Sequence, residues 1–155
     1  MSRAYLGLGS NEGDRLANLR TAVARLDAHP SIEVTGTSSV YETEAIDDAV
    51  GQRDFYNAVV AVETTLEPRQ LLTACKEIER DLGRAPTGRR HAPRPIDIDL
   101  LLMGDLRLDE PGLEIPHPGI AHRAFVQVPL RELGFELPLA VAGNQRVTRV
   151  DTLRQ

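Results

Sequence analysis

The spacing of apolar positions along the chain predicts two amphipathic helices. Apolar residues recur at helical spacing after Asp14, and the pattern stops before Pro30. A second stripe with the same spacing follows Pro68, a residue type favoured at the first position of a helix, and it stops at Gly83. The first stripe consists of Leu16, Leu19, Val23 and Leu26, and the second of Leu71, Leu72, Cys75, Ile78 and Leu82.

Four further segments are rich in β-branched or alternating apolar residues and predict strands. They cover residues 4–9, 32–41, 55–65 and 96–103. The order strand, helix, strand, strand, helix, strand departs from the strict alternation of a doubly wound parallel sheet. It predicts an α+β fold of the ferredoxin-like kind, with a mostly antiparallel sheet and helices packed on it. The remaining chain predicts a short hairpin-like stretch after Gly104 and one or two helical turns within FVQVPLREL, and it is too weakly patterned to assign from Gly134 onward.

Size and composition restrict the function classes. A chain of 155 residues predicts a single domain, here residues 1–155. The net charge of −5 argues against nucleic acid or an anionic membrane as a partner. The one cysteine, Cys75, excludes a disulfide framework and a cysteine-based zinc site, and no apolar run is long enough to span a membrane. We therefore expect a cytoplasmic monomer that acts on small molecules.

The stretch IDID, residues 96–99, places two aspartates inside a predicted strand. Alternate residues share one face of a strand, so Asp97 and Asp99 project to one side and the isoleucines to the other. Adjacent carboxylates repel each other, and Mg²⁺, which prefers one or two carboxylates together with substrate phosphates, would remove that cost. The alternative is an edge strand whose acids face water. A nearby cluster of arginines suited to phosphate oxygens favours the magnesium-phosphate site: Arg84, Arg89, Arg90 and Arg94.

Other polar and aromatic positions each allow two interpretations. The stretch GLGSNEGDR, residues 7–15, lacks the ending of a phosphate-binding loop and is better explained as a turn followed by a helix cap. Phe55 and Phe125 are core residues, or they stack on a flat heteroaromatic ligand whose edge Asn57 would then read. His117, between two prolines, is a surface residue or a donor to phosphate.

Five blocks of the sequence occur in an order that is typical of one enzyme family. They are LGSNEGDR, FYNAVVAVETTLEP, EIERDLGR, RHAPRPIDIDLLL and IPHPGIAHRAFVQVPL, and they lie within residues 4–133. On these blocks the chain resembles the 6-hydroxymethyl-7,8-dihydropterin pyrophosphokinases of folate biosynthesis, and the block that runs from arginine to aspartate is the specific signature. The resemblance implies a ferredoxin-like α+β fold. It also implies transfer of the terminal diphosphate of ATP to the hydroxymethyl oxygen of the pterin, with release of AMP.

The resemblance further implies roles for individual residues. Two Mg²⁺ ions that bridge the ATP phosphates would be held by Asp97 and Asp99. The catalytic set would also include Arg84 and Arg94. The ATP-binding residues would be Lys76, Glu79, Arg94, His117 and Arg123. The pterin-binding residues would be Thr43, Ile46, Phe55, Asn57 and Phe125. Two mobile loops, residues 43–53 and 83–95, would close over the substrates.

Four positions depart from the pattern of the family. Relatives often have tryptophan, arginine, proline and tyrosine where this chain has His91, Pro86, Glu44 and Phe55. The first two departures lie in the 83–95 loop. The sequence also leaves two other hypotheses: a different magnesium-phosphate enzyme that uses a related planar substrate or hydrolyses a nucleotide, and a ferredoxin-like RNA-binding module without catalysis. A low aromatic content and the acidic charge balance argue against the RNA-binding module.

Overall fold

Two antiparallel sheets and three α-helices make up the described part of the chain. The computed structural model describes residues 1–45, 51–83, 95–135 and 146–153. The strands are β1 (Ser2–Ser10), β2 (Ile32–Thr37), β3 (Ser39–Thr43), β4 (Phe55–Thr64), β5 (Asp97–Met103), β6 (Leu108–Glu110), β7 (Leu113–Ile115) and β8 (Val147–Thr152). The helices are α1 (Arg15–Ala28), α2 (Pro68–Asp81) and α3 (Ala124–Glu132), and a 3₁₀ helix covers Pro118–His122.

The larger sheet has six strands among the described residues, and each of its pairings is antiparallel. Its order is β5-β1-β4-β3-β8, and β2 pairs with β4 alongside β3. β4 is ten residues long, so it can pair with β1 along one edge and with β2 and β3 in succession along the other. The predicted α+β fold with a mostly antiparallel sheet is confirmed.

The predicted strand over residues 32–41 is two strands in the structure. Ser38 separates them: its backbone N–H donates to the carbonyl oxygen of Val59 at 2.9 Å, and its Oγ accepts from the N–H of Val59 at 2.9 Å. A serine that uses its side chain in place of the ladder interrupts the strand without leaving the β4 backbone unpaired. β-branched composition extends across this break, which explains why the sequence pattern did not reveal it.

The helix ends follow the chemistry of their sequences. Asp14 accepts a hydrogen bond from the backbone N–H of Ala17 at 3.1 Å and is the cap of α1. α2 begins at Pro68, as predicted, and Glu67 and Gln70 form a reciprocal capping box before it. These caps fix the first turns of both helices, and with them the residues that α2 presents to β5.

The two faces of the large sheet carry different layers. α1 and α2 pack on the first face, where the buried strand residues include Leu6, Leu8, Val60, Ile98 and Leu100. α3 packs on the second face through Val126 and Leu130, against Val59 and Leu101. The second face continues into partly exposed or polar side chains, among them Asp97, Asp99 and Asn57. This continuation is where the site described below lies.

The last strand comes from the segment that the sequence pattern left unassigned. β8 pairs with β3 at the edge of the sheet, and five of its six residues are exposed. The hairpin predicted after Gly104 is confirmed as β6 and β7, and the turns predicted in FVQVPLREL are confirmed as α3. Within the described ranges, no helix has the length and apolar character needed to cross a membrane.

Candidate active site

A row of residues runs across four strands on the second face of the sheet. Asp97 of β5 lies opposite Gly9 of β1, Gly9 lies opposite Asn57 of β4, and Asn57 lies opposite Tyr41 of β3. Residues directly opposite each other in an antiparallel pair point to the same face. Asp97 and Asn57 are therefore two strand spacings, or about 10 Å, apart on one surface.

The two aspartates of β5 lie on this face, as the alternation in the sequence predicted. Ile96, Ile98 and Leu100 are buried on the opposite side, whereas Asp97 and Asp99 are partly exposed. Burial raises the pKa of Asp99 to about 7, and the negative charges of Asp97 and Glu79 act in the same direction. The positive charges of Lys76 and Arg123 act in the opposite direction. A bound cation would relieve the repulsion that these carboxylates exert on one another.

The donor set fits magnesium better than a metal that requires a full protein cage. Among the described residues, no group of three or more His, Cys, Asp or Glu side chains has the arrangement of a metal site. Mg²⁺ takes one or two carboxylates and fills its remaining positions with water and substrate phosphates. A pair of aspartates on one strand face meets that requirement, and the electrostatic cost at Asp99 gives a physical reason for a cation there.

Glu79 and Lys76 lie on α2 and reach the same edge of the sheet. The buried carboxylate of Glu79 accepts a hydrogen bond from the backbone N–H of Ile98 at 2.6 Å, between the two aspartates. Lys76 Nζ lies 3.4 Å from Glu79 Oε1 and is half exposed. Glu79 thus attaches α2 to the aspartate-bearing strand and adds a third negative charge. Cys75, beside them, is a buried core thiol whose pKa is raised to about 12 by burial, so it is not a nucleophile.

His117 and Arg123 flank the 3₁₀ helix and are brought together by a glycine. His117 Nδ1 accepts a hydrogen bond from the backbone N–H of Gly119 at 2.9 Å, so its neutral form carries the proton on Nε2. A Cβ atom on Gly119 would lie 3.1 Å from both His117 Nδ1 and Arg123 Cδ. This glycine therefore lets a histidine and an arginine approach the same turn. The sequence patterns did not identify Gly119 as part of the site. The only indication in the sequence was its position between His117 and Arg123.

Arg123 has a buried donor that is not satisfied by any of the described residues. Its Nε atom has no hydrogen-bond partner within the part of the chain that the structure describes. Its guanidinium lies 5.7 Å from the ring centroid of Phe125, and its charge acts on Asp99. Leaving a buried donor unpaired costs roughly 1–3 kcal/mol. An anionic ligand that entered next to the aspartates would supply the missing acceptor.

The neutral end of the row is formed by Thr43, Phe55 and Asn57. Thr43 lies opposite Phe55 in the β3–β4 pair, and Asn57 Nδ2 donates to Thr43 Oγ1 at 2.5 Å. Thr43 and Asn57 are buried, whereas Phe55 is partly exposed. A Cβ atom on Gly9 would lie 2.9 Å from Asn57 Oδ1 and 3.7 Å from Phe55 Cδ1. The absence of a side chain at Gly9 makes room for both, and the sequence interpretation of residues 7–15 as a turn did not include this role.

Phe125 is placed by α3 on the same face, partly exposed, and it packs against the second core. The remaining predicted site residues, Ile46, Arg84 and Arg94, lie outside the described residues, as do the departures Pro86 and His91. The structure therefore brings together the acids of β5, two α2 residues, the His117–Arg123 turn and the neutral end of the row.

A family model for 7,8-dihydro-6-hydroxymethylpterin-pyrophosphokinase matches residues 5–134. The chain belongs to this family. The family membership expected from the five sequence blocks is thereby confirmed, and the chain is a pyrophosphokinase.

Individual relatives agree with this membership. The chain is 46% identical over 147 residues to a 2-amino-4-hydroxy-6-hydroxymethyldihydropteridine pyrophosphokinase of Methylorubrum extorquens, covering 95% of this chain and 90% of the relative. It is 42% identical over 128 residues to a mitochondrial folate synthesis bifunctional protein of Pisum sativum, covering 83% of this chain and 24% of that protein. The crystal structure of Plasmodium falciparum HPPK-DHPS shares the fold, with a TM-score of 0.62 at 18% identity over 92% of this chain and 42% of the other.

Proposed function

We propose that this pyrophosphokinase transfers the diphosphate of ATP to the hydroxymethyl group of 6-hydroxymethyl-7,8-dihydropterin in folate biosynthesis. The hydroxymethyl oxygen forms a bond to the β-phosphorus, and the bond between that phosphorus and the α-phosphate oxygen breaks. The products are the pterin diphosphate, AMP and a proton. The observation that carries this proposal is the row from Asp97 through Gly9 to Asn57, which sets two parts of the site about 10 Å apart on one face. We call them the acidic half (Asp97, Asp99 and Glu79) and the neutral half (Thr43, Phe55 and Asn57).

Asp97 and Asp99 hold Mg²⁺ in this proposal. When bound, Mg²⁺ would neutralise negative charge on the ATP phosphates. The contribution of the protein is to present both carboxylates on a strand whose other face is buried. Glu79 fixes that strand by accepting from the backbone between the two aspartates. Lys76 adds a positive charge at the same edge, where it opposes the clustered acids and can approach the nucleotide phosphates.

Arg123 and His117, which flank the 3₁₀ helix, bind the ATP phosphates in this proposal. Arg123 offers the buried Nε donor that has no acceptor among the described residues, and a phosphate oxygen satisfies it. His117 offers Nε2–H, since its Nδ1 is occupied by the N–H of Gly119. Arg84 and Arg94 are proposed to complete the catalytic set on the basis of the family resemblance alone. These donors stabilise the negative charge on the transferred diphosphate, and they do so without gaining or losing a proton themselves.

The neutral half binds the pterin. Asn57 is held by Thr43 and offers its remaining amide donor and carbonyl oxygen to the edge of the ring. Phe55 and Phe125 lie on the same face with partly exposed rings that can stack on the pterin. Ile46 is proposed as a further contact from the resemblance. A flat ligand bound here would extend its hydroxymethyl group along the row toward the aspartates.

The direct test is to incubate the purified protein with ATP, MgCl₂ and 6-hydroxymethyl-7,8-dihydropterin and to separate the nucleotides by chromatography. We expect AMP and pterin diphosphate in equal amounts, with neither formed when the pterin or Mg²⁺ is omitted. Formation of ADP without dependence on the pterin would contradict the proposal and favour another magnesium-phosphate enzyme. Removal of Mg²⁺ with EDTA tests the metal separately, because full activity in EDTA would exclude the proposed role of the aspartates as Mg²⁺ ligands.

A further inference from the structure

Arg15, the first residue of α1, contacts the ends of the two strands that carry the pterin-binding residues. Its Nη1 donates to the backbone oxygen of Asp54 at 2.8 Å and to Glu42 Oε2 at 3.2 Å. Its guanidinium also lies over the ring of Tyr56, 3.9 Å from the centroid. Only 13% of the side chain is exposed. One side chain thus touches the last residues of β3 and the first residues of β4.

These contacts lie behind the proposed pterin site, on the opposite face of the sheet. Glu42 lies opposite Tyr56, and the next pair along is Thr43 and Phe55. Alternation along a strand puts Glu42 and Tyr56 on the face that α1 covers, while Thr43 and Phe55 point to the other face. The backbone of Asp54 leads directly into Phe55. Arg15 therefore holds, from behind, the pair of residues that faces the ligand.

We infer that Arg15 is a positioning residue for the pterin, which fixes the β3 and β4 ends so that Thr43, Phe55 and Asn57 are pre-organised before the ligand binds. This inference rests on the proposed function. Without Arg15 the strand ends lose two charge-assisted hydrogen bonds and a stacked contact, so ordering them adds to the cost of binding. The described residues proposed for Mg²⁺ and ATP lie on β5, α2 and the 3₁₀ turn, and these three contacts of Arg15 do not include any of them.

Arginine is required for this arrangement because the contacts lie in different directions. Its planar guanidinium can stack on Tyr56 while its edge donates to a carbonyl and a carboxylate. Lysine keeps the charge near Glu42 but presents a single ammonium without a planar face. An Arg15→Lys variant should therefore retain part of the effect, whereas Arg15→Ala loses all of it. This graded response distinguishes the planar contact from a general need for positive charge.

The experiment measures KM for the pterin and KM for ATP separately in wild type, Arg15→Lys and Arg15→Ala. We expect Arg15→Ala to raise KM for the pterin about tenfold and to leave KM for ATP within about twofold. Arg15→Lys should give an intermediate value and provides the test if the alanine variant does not fold. Arg25→Ala is the matched control, because it removes an α1 arginine whose partner, Asp81, is an exposed residue of α2.

The outcomes separate this inference from the proposed function. If wild type shows pterin-dependent AMP formation but Arg15→Ala and Arg15→Lys leave KM for the pterin unchanged, the inference is wrong and the proposed function stands. An equal rise in both KM values would also overturn it, because it would indicate a general structural role. If wild type itself forms no AMP with the pterin, the proposed function fails, and the inference fails with it. Thermal unfolding of each variant shows whether the fold is retained.

Discussion

The acidic half and the neutral half of the candidate site differ in how favourable each is without a ligand. The acidic half, formed by Asp97, Asp99 and Glu79, concentrates like charges, so that the pKa of Asp99 is raised to about 7 by burial and by its neighbours. The neutral half, formed by Thr43, Phe55 and Asn57, carries no charged side chain and is held by the hydrogen bond that Asn57 donates to Thr43. The acidic half is thus less favourable without its ligand, whereas the neutral half is already arranged.

The ligand that neutralises the acidic half should stabilise the protein most. Mg²⁺ and ATP would relieve the repulsion at Asp99 and provide an acceptor for the buried Nε of Arg123. The pterin would enter a surface that carries no comparable charge repulsion and where Asn57 is already held by Thr43, so it relieves less unfavourable free energy on binding. Charge neutralisation should therefore dominate turnover, and steric fit should dominate pterin affinity.

Removal of either aspartate should have the largest effect. We expect Asp97→Asn and Asp99→Asn each to lower kcat by at least about a thousandfold, because charge stabilisation by a bound metal contributes several kcal/mol to the transition state. The measurement is AMP formation at saturating substrates. Asp105→Asn is the control, since Asp105 is an exposed acid just beyond the same strand. Activity within tenfold of wild type in either site variant would contradict the acidic half as a metal site.

A methyl group at Gly9 should disturb the neutral half selectively. The added Cβ atom would lie 2.9 Å from Asn57 Oδ1, so Asn57 must shift and its bond to Thr43 is strained. Overpacking of this kind costs about 1–3 kcal/mol, and we expect Gly9→Ala to lower kcat/KM for the pterin at least about tenfold, with KM for ATP little changed.

The matched control for this substitution is Gly36→Ala. Gly36 also lies in a strand of the large sheet, but an added Cβ atom there would meet its nearest neighbours, Ala61 and Leu133, at an ordinary 3.7 Å. Its kinetic constants should match wild type. If Gly9→Ala behaves like Gly36→Ala, the close approach of Asn57 to β1 is not what shapes the pterin site.

The pH dependence of stability should reveal the cost of the acidic half. Because the folded-state pKa of Asp99 is raised above its ordinary value of 3.8, its contribution to stability is fully present below that value. It is lost as the pH rises through about 7. In metal-free buffer, Asp99→Asn should therefore have a Tm close to wild type at or below about pH 4. It should have a Tm higher by about 3 °C at about pH 8.

Thermal unfolding in EDTA, followed by circular dichroism, checks this expectation. Asp105→Asn should show no difference that depends on pH. Addition of MgCl₂ at about pH 8 should raise the Tm of wild type more than that of Asp99→Asn, since only wild type keeps both carboxylates. If Asp99→Asn is less stable than wild type at about pH 8 without metal, the ionised carboxylate of Asp99 does not destabilise the folded protein.

The aspartate pair of the acidic half could be predicted from the sequence because its chemistry is local, whereas Glu79 was expected only from the family resemblance. Asp97 and Asp99 are two residues apart in a strand, and that spacing alone fixes their common face. The neutral half depends on register, which sets Gly9 beside Asn57 although the two are 48 positions apart, and no local pattern contains that distance. β8 was missed for a related reason: five of its six residues are exposed, so it has no alternation of apolar and polar positions.

The support of the neutral half from α3 should give the smallest effect. Glu132 accepts hydrogen bonds from the N–H of Ser39 at 2.8 Å, from Ser39 Oγ at 2.7 Å and from Tyr41 Oη at 2.8 Å. Burial acts to raise the pKa of Glu132, but these hydrogen bonds together lower it. Its contribution to stability is then present above its ordinary value of 4.5 and is lost as the pH falls through the lowered pKa.

We expect Glu132→Gln to lower Tm by only about 2 °C near neutral pH, because the group is close to solvent, and the difference from wild type should vanish in acid. Tyr41 lies opposite Asn57, so KM for the pterin should rise, by less than about twofold, while KM for ATP stays constant. Glu110→Gln, which removes an exposed partner of Arg69, is the control. A larger change in KM for ATP than for the pterin would mean that α3 supports the acidic half instead, and the division of the face into two independently held halves would be wrong.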